Sequence, residues 1–297
     1  MPLFLKRHYT VFYNTMKVKL LLLAFVAPVL LLAQSPWARK TGGGYAQLSH
    51  RFIPEYGTLF GKDGQSITLD HLVSERLFQF YGEYGLSKNT TIVLALPYVF
   101  NERGADNPAS NLQFAKETTG KVSGLGNTTV SIRHQFVAAK NAMAGTLRVS
   151  LPSPTKEVEF ADLRGGFDAF TIQPMLSFGK GFNRVYGFAY GSYGFRNNGY
   201  SHFINVGTEV GFRLGKIWLS AFSELMYSLE NGSRKVAGID GLTGLYSNNQ
   251  GWLSVGGKAI WEINHFCGIG VSGTTAAWAQ YVPKSPAFDL SVYFKWD

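Results

Sequence analysis

Few residues in this chain have the types and spacing that chemistry needs. His50, His71, His134, His202 and His265 lie on separate segments, and no two share the spacing of metal ligands; His8 belongs to the leading residues. The single Cys267 rules out an intramolecular disulfide and a cysteine-based metal site. The glycine runs at 42–44 and 124–126 do not open a helix, so they do not build a phosphate cradle. No histidine sits beside a serine on the expected inner face, so a lipid hydrolase ranks below a non-enzyme, and no cofactor is expected. What remains is a set of polar residues recurring at alternate positions: Gln79, Glu83, Arg133, Arg148, Glu209, Arg213, Glu224, Lys258 and Glu262. Charges of both signs facing one another across a narrow enclosed space can select a solute. They can equally pair, fill the interior and hold its shape.

Those residues need strands to position them. Aromatic residues make up 15% of the 297 residues, with 34 Gly and only 16% charged residues, a balance that favours aromatic-rich β-structure over an ordinary soluble domain. After Gly44 the period is two almost throughout, in segments of about ten residues, the length of a tilted strand crossing a bilayer. Twelve strands are predicted. The first is 44–52 and the second 76–86, with Phe78, Phe80, Tyr84 and Leu86 opposite Gln79, Tyr81 and Glu83. The third carries Ile92, Leu94, Leu96 and Tyr98 on one face. The fourth, 124–136, sets Val130, Ile132 and Phe136 against Asn127, Thr129, Ser131, Arg133 and Gln135. The fifth to seventh fall at 145–151, 167–178 and 184–195. The eighth sorts Ile204, Val206, Val210, Phe212 and Leu214 from Asn205, Glu209 and Arg213. The last four are 217–230, 250–263, 266–273 and 287–296. Pro174 falls inside the sixth, where a missing N–H predicts a bulge or a later start. Pro97 and Pro152 are expected where strands run out into loops.

Connections alternate between short (87–89, 138–143, 179–183, 215–216, 264–265) and long (53–75, 101–123, 152–166, 231–249, 274–286), with 196–202 intermediate. That is the pattern of an all-β, transmembrane antiparallel up-and-down β-barrel of the bacterial outer membrane, with turns and both termini in the periplasm. A soluble sandwich or lipocalin-like barrel would alternate in the same way. The polar faces here, however, hold Gly, Ser, Thr, Asn and Gln with few Lys, a composition suited to a lumen. Residues 16–35 run from a basic start through an apolar stretch to small residues, the order of a secretory signal peptide, with Met16 the expected initiator. The mature barrel is then a single domain from residue 34. Lys6, Arg7, Lys17 and Lys19 supply four of the nine net positive charges, and the rest are scattered, so nucleic acid is not an expected partner. Outer-membrane lipid and, during biogenesis, the barrel-assembly machinery are, and the barrel is expected to be a monomer.

The stretches at 81–99 and 124–136 resemble a family of outer-membrane barrels named for a meta-cleavage pathway of phenol degradation. In that family a Leu-Pro-Tyr-like strand end precedes a Gly-Leu-Gly-Asp-like strand opening. The opening at 35–52 resembles members from Bacteroidetes-type bacteria. This chain has Asn127 in place of the acid and ends on Asp297 after Trp296. The resemblance implies a passive channel or transporter for small, hydrophobic or aromatic solutes. The sequence itself shows no plug or energy-coupling domain. A structural barrel whose long loops at 101–123 and 231–249 bind a surface partner is the alternative.

Overall fold

The computed structural model describes residues 34–110, 119–138, 141–155, 162–236 and 242–297. The signal segment and upstream extension, apart from Gln34 and Ser35, lie outside the described residues.

Fourteen strand segments form one antiparallel sheet: β1 (Gly44–Phe60), β2 (Ser66–Ser87), β3 (Thr90–Asp106), β4 (Gly120–Leu125), β5 (Thr129–Val137), β6 (Asn141–Ser150), β7 (Thr171–Phe182), β8 (Val185–Arg196), β9 (Phe203–Leu214), β10 (Ile217–Ser228), β11 (Gly251–Glu262), β12 (Cys267–Gln280), β13 (Val282–Pro283) and β14 (Ala287–Trp296). β1 pairs with β2 on one side and with β14 on the other, which closes the sheet. With β4 and β5 forming two stretches of one wall strand, and β13 a short addition beside the end of β1, the barrel has twelve strands. Except beside β4, closure leaves no free edge along the wall, the condition for a sheet to sit in hydrocarbon.

Side-chain alternation does the sorting. On β9, Phe203, Asn205, Gly207, Glu209 and Gly211 are buried, while Ile204, Val206, Thr208, Val210 and Phe212 are exposed. The same apolar exterior runs round the barrel through Leu48, Phe78, Ile132, Leu176 and Leu290. Exposed rings gather towards both ends of the strands: Phe136, Phe182, Trp261, Phe266 and Trp296 near the short turns, and Phe52, Phe78, Tyr98, Phe170 and Phe288 further up. Phe288 and Trp296 bound β14. At about 3.4 Å per residue and the usual barrel tilt, their separation spans roughly 20–25 Å, the height of a transmembrane apolar band.

The structure corrects several expected boundaries. Residues 53–75 form a strand ribbon that carries β1 and β2 upward to a single 3-10 turn at Lys62–Gly64. β3 and β12 likewise run on to Asp106 and Gln280, beyond the expected strand ends. β7 starts later than predicted, at Thr171, yet Pro174 remains inside it. No bulge forms: Ile172 faces Phe195 and Met175 faces Ser192 in unbroken register, with the pairs between them missing. Pro174 is exposed on the outer face and keeps its place opposite Leu147.

The fourth wall strand, expected to be continuous over 124–136, is broken. β5 pairs with β3 up to Ala95–Thr129, and β4 resumes at Tyr98–Leu125 with a shifted register. Pro97, expected where the strand runs out into a loop, sits well within β3 opposite this break, where it has no N–H to lose; its carbonyl accepts from Gly126 N–H at 2.9 Å. β6 ends at Ser150, so among the described residues β4 has no strand neighbour on its far side. Side chains replace the ladder there. Asn127 Nδ2 donates to the Leu151 and Phe167 carbonyls (2.8 and 2.7 Å), and its Oδ1 accepts from Phe167 N–H at 2.7 Å. The Ser153 and Thr155 hydroxyls donate to the Leu125 carbonyl at 2.8 and 2.7 Å. An aspartate at 127 could accept but not donate, so the amide suits this notch in a way the acid would not.

The outward set makes a direct prediction. Leu290, at mid-strand on β14 and 55% exposed, replaced by Arg should destabilise the folded barrel by about 2–4 kcal/mol in denaturant titrations from lipid vesicles, the cost of a cation on the lipid face near midplane. An unchanged titration midpoint would contradict an outward-facing lipid belt.

Candidate functional site

All nine polar residues singled out in the sequence lie on inward positions of their strands, and most of them touch one another. Glu83 accepts from Arg133 Nη2 at 2.7 Å, from Arg39 Nε at 2.5 Å and from the Tyr81 hydroxyl at 2.5 Å. Arg133 and Glu83 are both nearly sealed from solvent, with side chains 0% and 3% exposed. Across the barrel, Glu209 takes the Lys258 ammonium at 3.0 Å and the Tyr186 hydroxyl, and Glu224 takes the Tyr190 hydroxyl at 2.8 Å. Nearer the turns, Glu262 bridges Arg213 (2.5 Å) and Lys295 (3.0 Å). Buried charges are tolerable only when paired in this way. Gln79 and Arg148 have no such ion pair among the described residues: both face a cavity described below.

The sequence reading expected a lumen free of any plug. The structure differs. Residues 34–40, ahead of β1, turn back from the short-turn end into the barrel. Ala38 N–H donates to Gln135 Oε1 at 2.9 Å and Arg39 N–H to Thr91 Oγ1 at 2.8 Å. Arg133 Nη1 donates to the Ser35 carbonyl (2.8 Å), the Ser35 hydroxyl (3.0 Å) and the Trp37 carbonyl (3.2 Å). The Trp37 ring meets Tyr186 and Phe188 edge-on on the opposite wall, at 6.3 and 6.1 Å between centroids. The segment thus spans the lumen from β3 and β5 to β8. Most of its grip on the first wall is polar, supplied by groups the barrel already buries.

This crossing divides the interior. The lower chamber, towards the short turns, holds about 500 Å³ and is lined by Trp37, Arg39, Tyr45, Tyr186, Trp218, Glu209, Lys258 and Tyr293 among others. The upper chamber, about 310 Å³, is lined by Gln34, Gln79, Arg148, Gln173, Arg196 and Phe203, and by Asn127 and Phe167 from the wall notch. Tyr81 borders both, so Tyr81 and the segment form the septum.

The long-loop end is closed by a different material. Leu163, Leu242 and Leu245 from the loops pack with Tyr56, Leu59, Leu69, Val73 and Val122 into a buried apolar cluster. Tyr56 donates to the Thr243 carbonyl at 2.8 Å, and Thr243 Oγ1 to the Asp162 carbonyl at 3.1 Å. Residues 242–249 of the loop expected to bind a partner therefore fold inward. Outside this cluster, Lys62 at the ribbon tip meets Glu230 at 2.6 Å. That hydrogen bond holds the Glu230 carboxyl below the usual carboxylate range and the Lys62 ammonium above its usual range. Among the described residues no cluster of His, Cys, Asp and Glu has metal-binding geometry.

Closed sheet, apolar exterior and enclosed polar interior define a transmembrane-type β-barrel. Compared with solved structures, the chain is similar to an outer membrane channel from Pseudomonas putida F1, with a TM-score of 0.65 and 12% identity over 92% of this chain and 100% of that one. The translocator domain of autotransporter NalP from Neisseria meningitidis (TM-score 0.47, 12% identity, 87% of this chain and 89% of that chain) is a more distant barrel. So is the KdgM porin (0.45, 7%, 84% and 99%). At such identities the likeness is one of fold. No family model matches the sequence, and no curated protein matches it.

Two expectations follow. Glu83→Gln removes the charge that Arg133 and Arg39 share, leaving a buried guanidinium without its counter-charge. The barrel should lose about 3–5 kcal/mol, and trypsin should cut at Arg39 and Lys40 faster than in the wild type. Equal cutting rates would mean that Glu83 does not hold the segment. The tie between Lys62 and Glu230 should be intact at neutral pH. It should weaken as pH falls through the lowered carboxyl value, and again as pH rises through the raised ammonium value. Amide hydrogen exchange at the ribbon tip should quicken at both extremes, and Lys62→Met should abolish the acid step.

Proposed function

We propose that the protein is a passive outer-membrane conduit for small solutes with an apolar part, with both termini at the periplasmic end. The observation that carries this reading is the septum. Two chambers of solute size are separated by a piece of chain rather than by the wall, and that piece is held largely by hydrogen bonds that other partners could replace. The aromatic lining of the lower chamber favours solutes with flat apolar surface. The apolar cluster closes the long-loop end, and the upper chamber abuts the notch between β4 and the loop at 151–155. A solute dissolved in the outer leaflet would reach the chamber there without crossing the loops. The channel from Pseudomonas putida F1 supports the barrel-as-conduit reading, and the sequence resemblance to the meta-cleavage barrels supports an aromatic solute.

Deleting residues 34–40 should raise single-channel conductance in planar bilayers several-fold and speed uptake of a small aromatic such as benzyl alcohol into proteoliposomes. Asn127→Ala should speed benzyl alcohol uptake without raising ionic conductance, because it loosens the notch and not the septum. A deletion variant as tight as the wild type to both ions and benzyl alcohol would overturn the reading.

A further inference from the structure

The two chambers differ in charge. Charged residues of both signs face the lower one, where Glu209 answers Lys258 and Glu83 answers Arg39. Among the described residues, the upper chamber is bordered by Arg148 and Arg196 and by no carboxylate. Register puts Arg148 on β6 opposite Gln173 on β7, and Arg196 on β8 opposite Thr171 on the same strand. The two guanidinium groups therefore stand on either side of β7, two strand spacings and two residues apart, roughly 12 Å between Cα atoms.

Neither has an ionic partner among the described residues. The one hydrogen bond of Arg148 runs from Nη1 to Gln173 Oε1 at 3.4 Å, and its Nε is buried without an acceptor. Glu224 is held by the Tyr190 hydroxyl at 2.8 Å, and Arg133 by Glu83. Arg196 lies over the rings of Phe167 (4.0 Å to the centroid) and Phe203 (4.3 Å), and its Nε also lacks an acceptor. Rings over a guanidinium stabilise its faces and leave the N–H donors of its edge unanswered. A pair of half-buried cations without counter-charge is costly to keep. The cost is offset when a ligand supplies the missing charge.

We infer that the upper chamber binds the carboxylate of a small aromatic acid, its two oxygens taken by Arg148 and Arg196 and its ring placed among Phe167, Phe203 and Tyr246. The volume suits one such molecule, and Gln173 and Thr171 between the cations add polar donors to the same face. This rests on the conduit reading for the passage of the acid, but binding stands or falls by itself.

Isothermal titration calorimetry of the full barrel in detergent, with phenylacetate and phenylacetamide at neutral pH and low salt, tests it. Phenylacetate should bind at least tenfold more tightly than its neutral isostere. Arg148→Met and Arg196→Met should each erase most of that preference, whereas Lys121→Met, which removes an external cation, should retain it. Heat-modifiable electrophoretic mobility reports whether each variant has folded, and if one has not, the wild-type acid-to-amide ratio still decides. Equal affinity for acid and amide, binding of neither, or a preference that survives in both folded arginine variants would overturn the inference. Proteoliposome flux of the two probes separates it from the conduit reading: bound acid without flux sinks the conduit alone, and equal flux with equal affinity sinks the carboxylate site alone.

Discussion

Every other feature depends on β1 pairing with both β2 and β14. In hydrocarbon an unpaired backbone amide costs several kcal/mol, so a sheet of this length is tenable there only when its last strand finds its first. Closure then forces a division of labour on each strand. One face of each strand meets lipid and must be apolar; the other meets only the remaining strands. The enclosed face inherits a problem that a soluble core does not have, because its polar side chains have neither bulk water nor hydrocarbon around them. Glu83 with Arg133, Glu209 with Lys258, and Glu262 with Arg213 and Lys295 are the outcome.

The same accounting explains the septum and the notch. Arg133 has more donors than Glu83 can accept from, and Nη1 finds the carbonyls of Ser35 and Trp37, while Nε stays without an acceptor. The segment thus completes a network that the wall leaves unfinished. At the notch, where the ladder lapses between β5 and β4, the lost backbone bonds are replaced by Asn127, Ser153 and Thr155. Side-chain bonds of 2.7 to 2.8 Å hold the wall at that point in place of a continuous ladder.

Much of the wall was legible in the sequence because period two is a local signal. The apolar set of β9, and β14 over 287–296, could be read residue by residue. The inward placement of the nine polar residues followed from the same alternation. What the alternation could not report was what lies across the barrel. Residues 34–40 show no periodicity, and their partners Thr91, Gln135 and Arg133 lie some fifty to one hundred positions away. Arg196, at the last position of β8, was passed over because its neighbours Phe167 and Phe203 come from other segments. Trp37 and Arg39, unusual residues in an otherwise unpatterned run just ahead of β1, were the one visible hint. The ribbon at 53–75 was read as a loop because its alternation loses the apolar-out, polar-in sense once the strands rise above the lipid.

The septum also belongs to the same polypeptide as the wall it blocks. Residues 40–43 join it to β1, with Gly42 in the left-handed region at φ 79°, a conformation glycine adopts without strain. A displaced segment therefore remains leashed to the rim, at an effective concentration on the order of millimolar. Its return is unimolecular, needs no second component, and proceeds equally fast however dilute the barrels are. If the barrel conducts as proposed, its reclosure is a matter of chain geometry, requiring neither a partner protein nor a supply of energy.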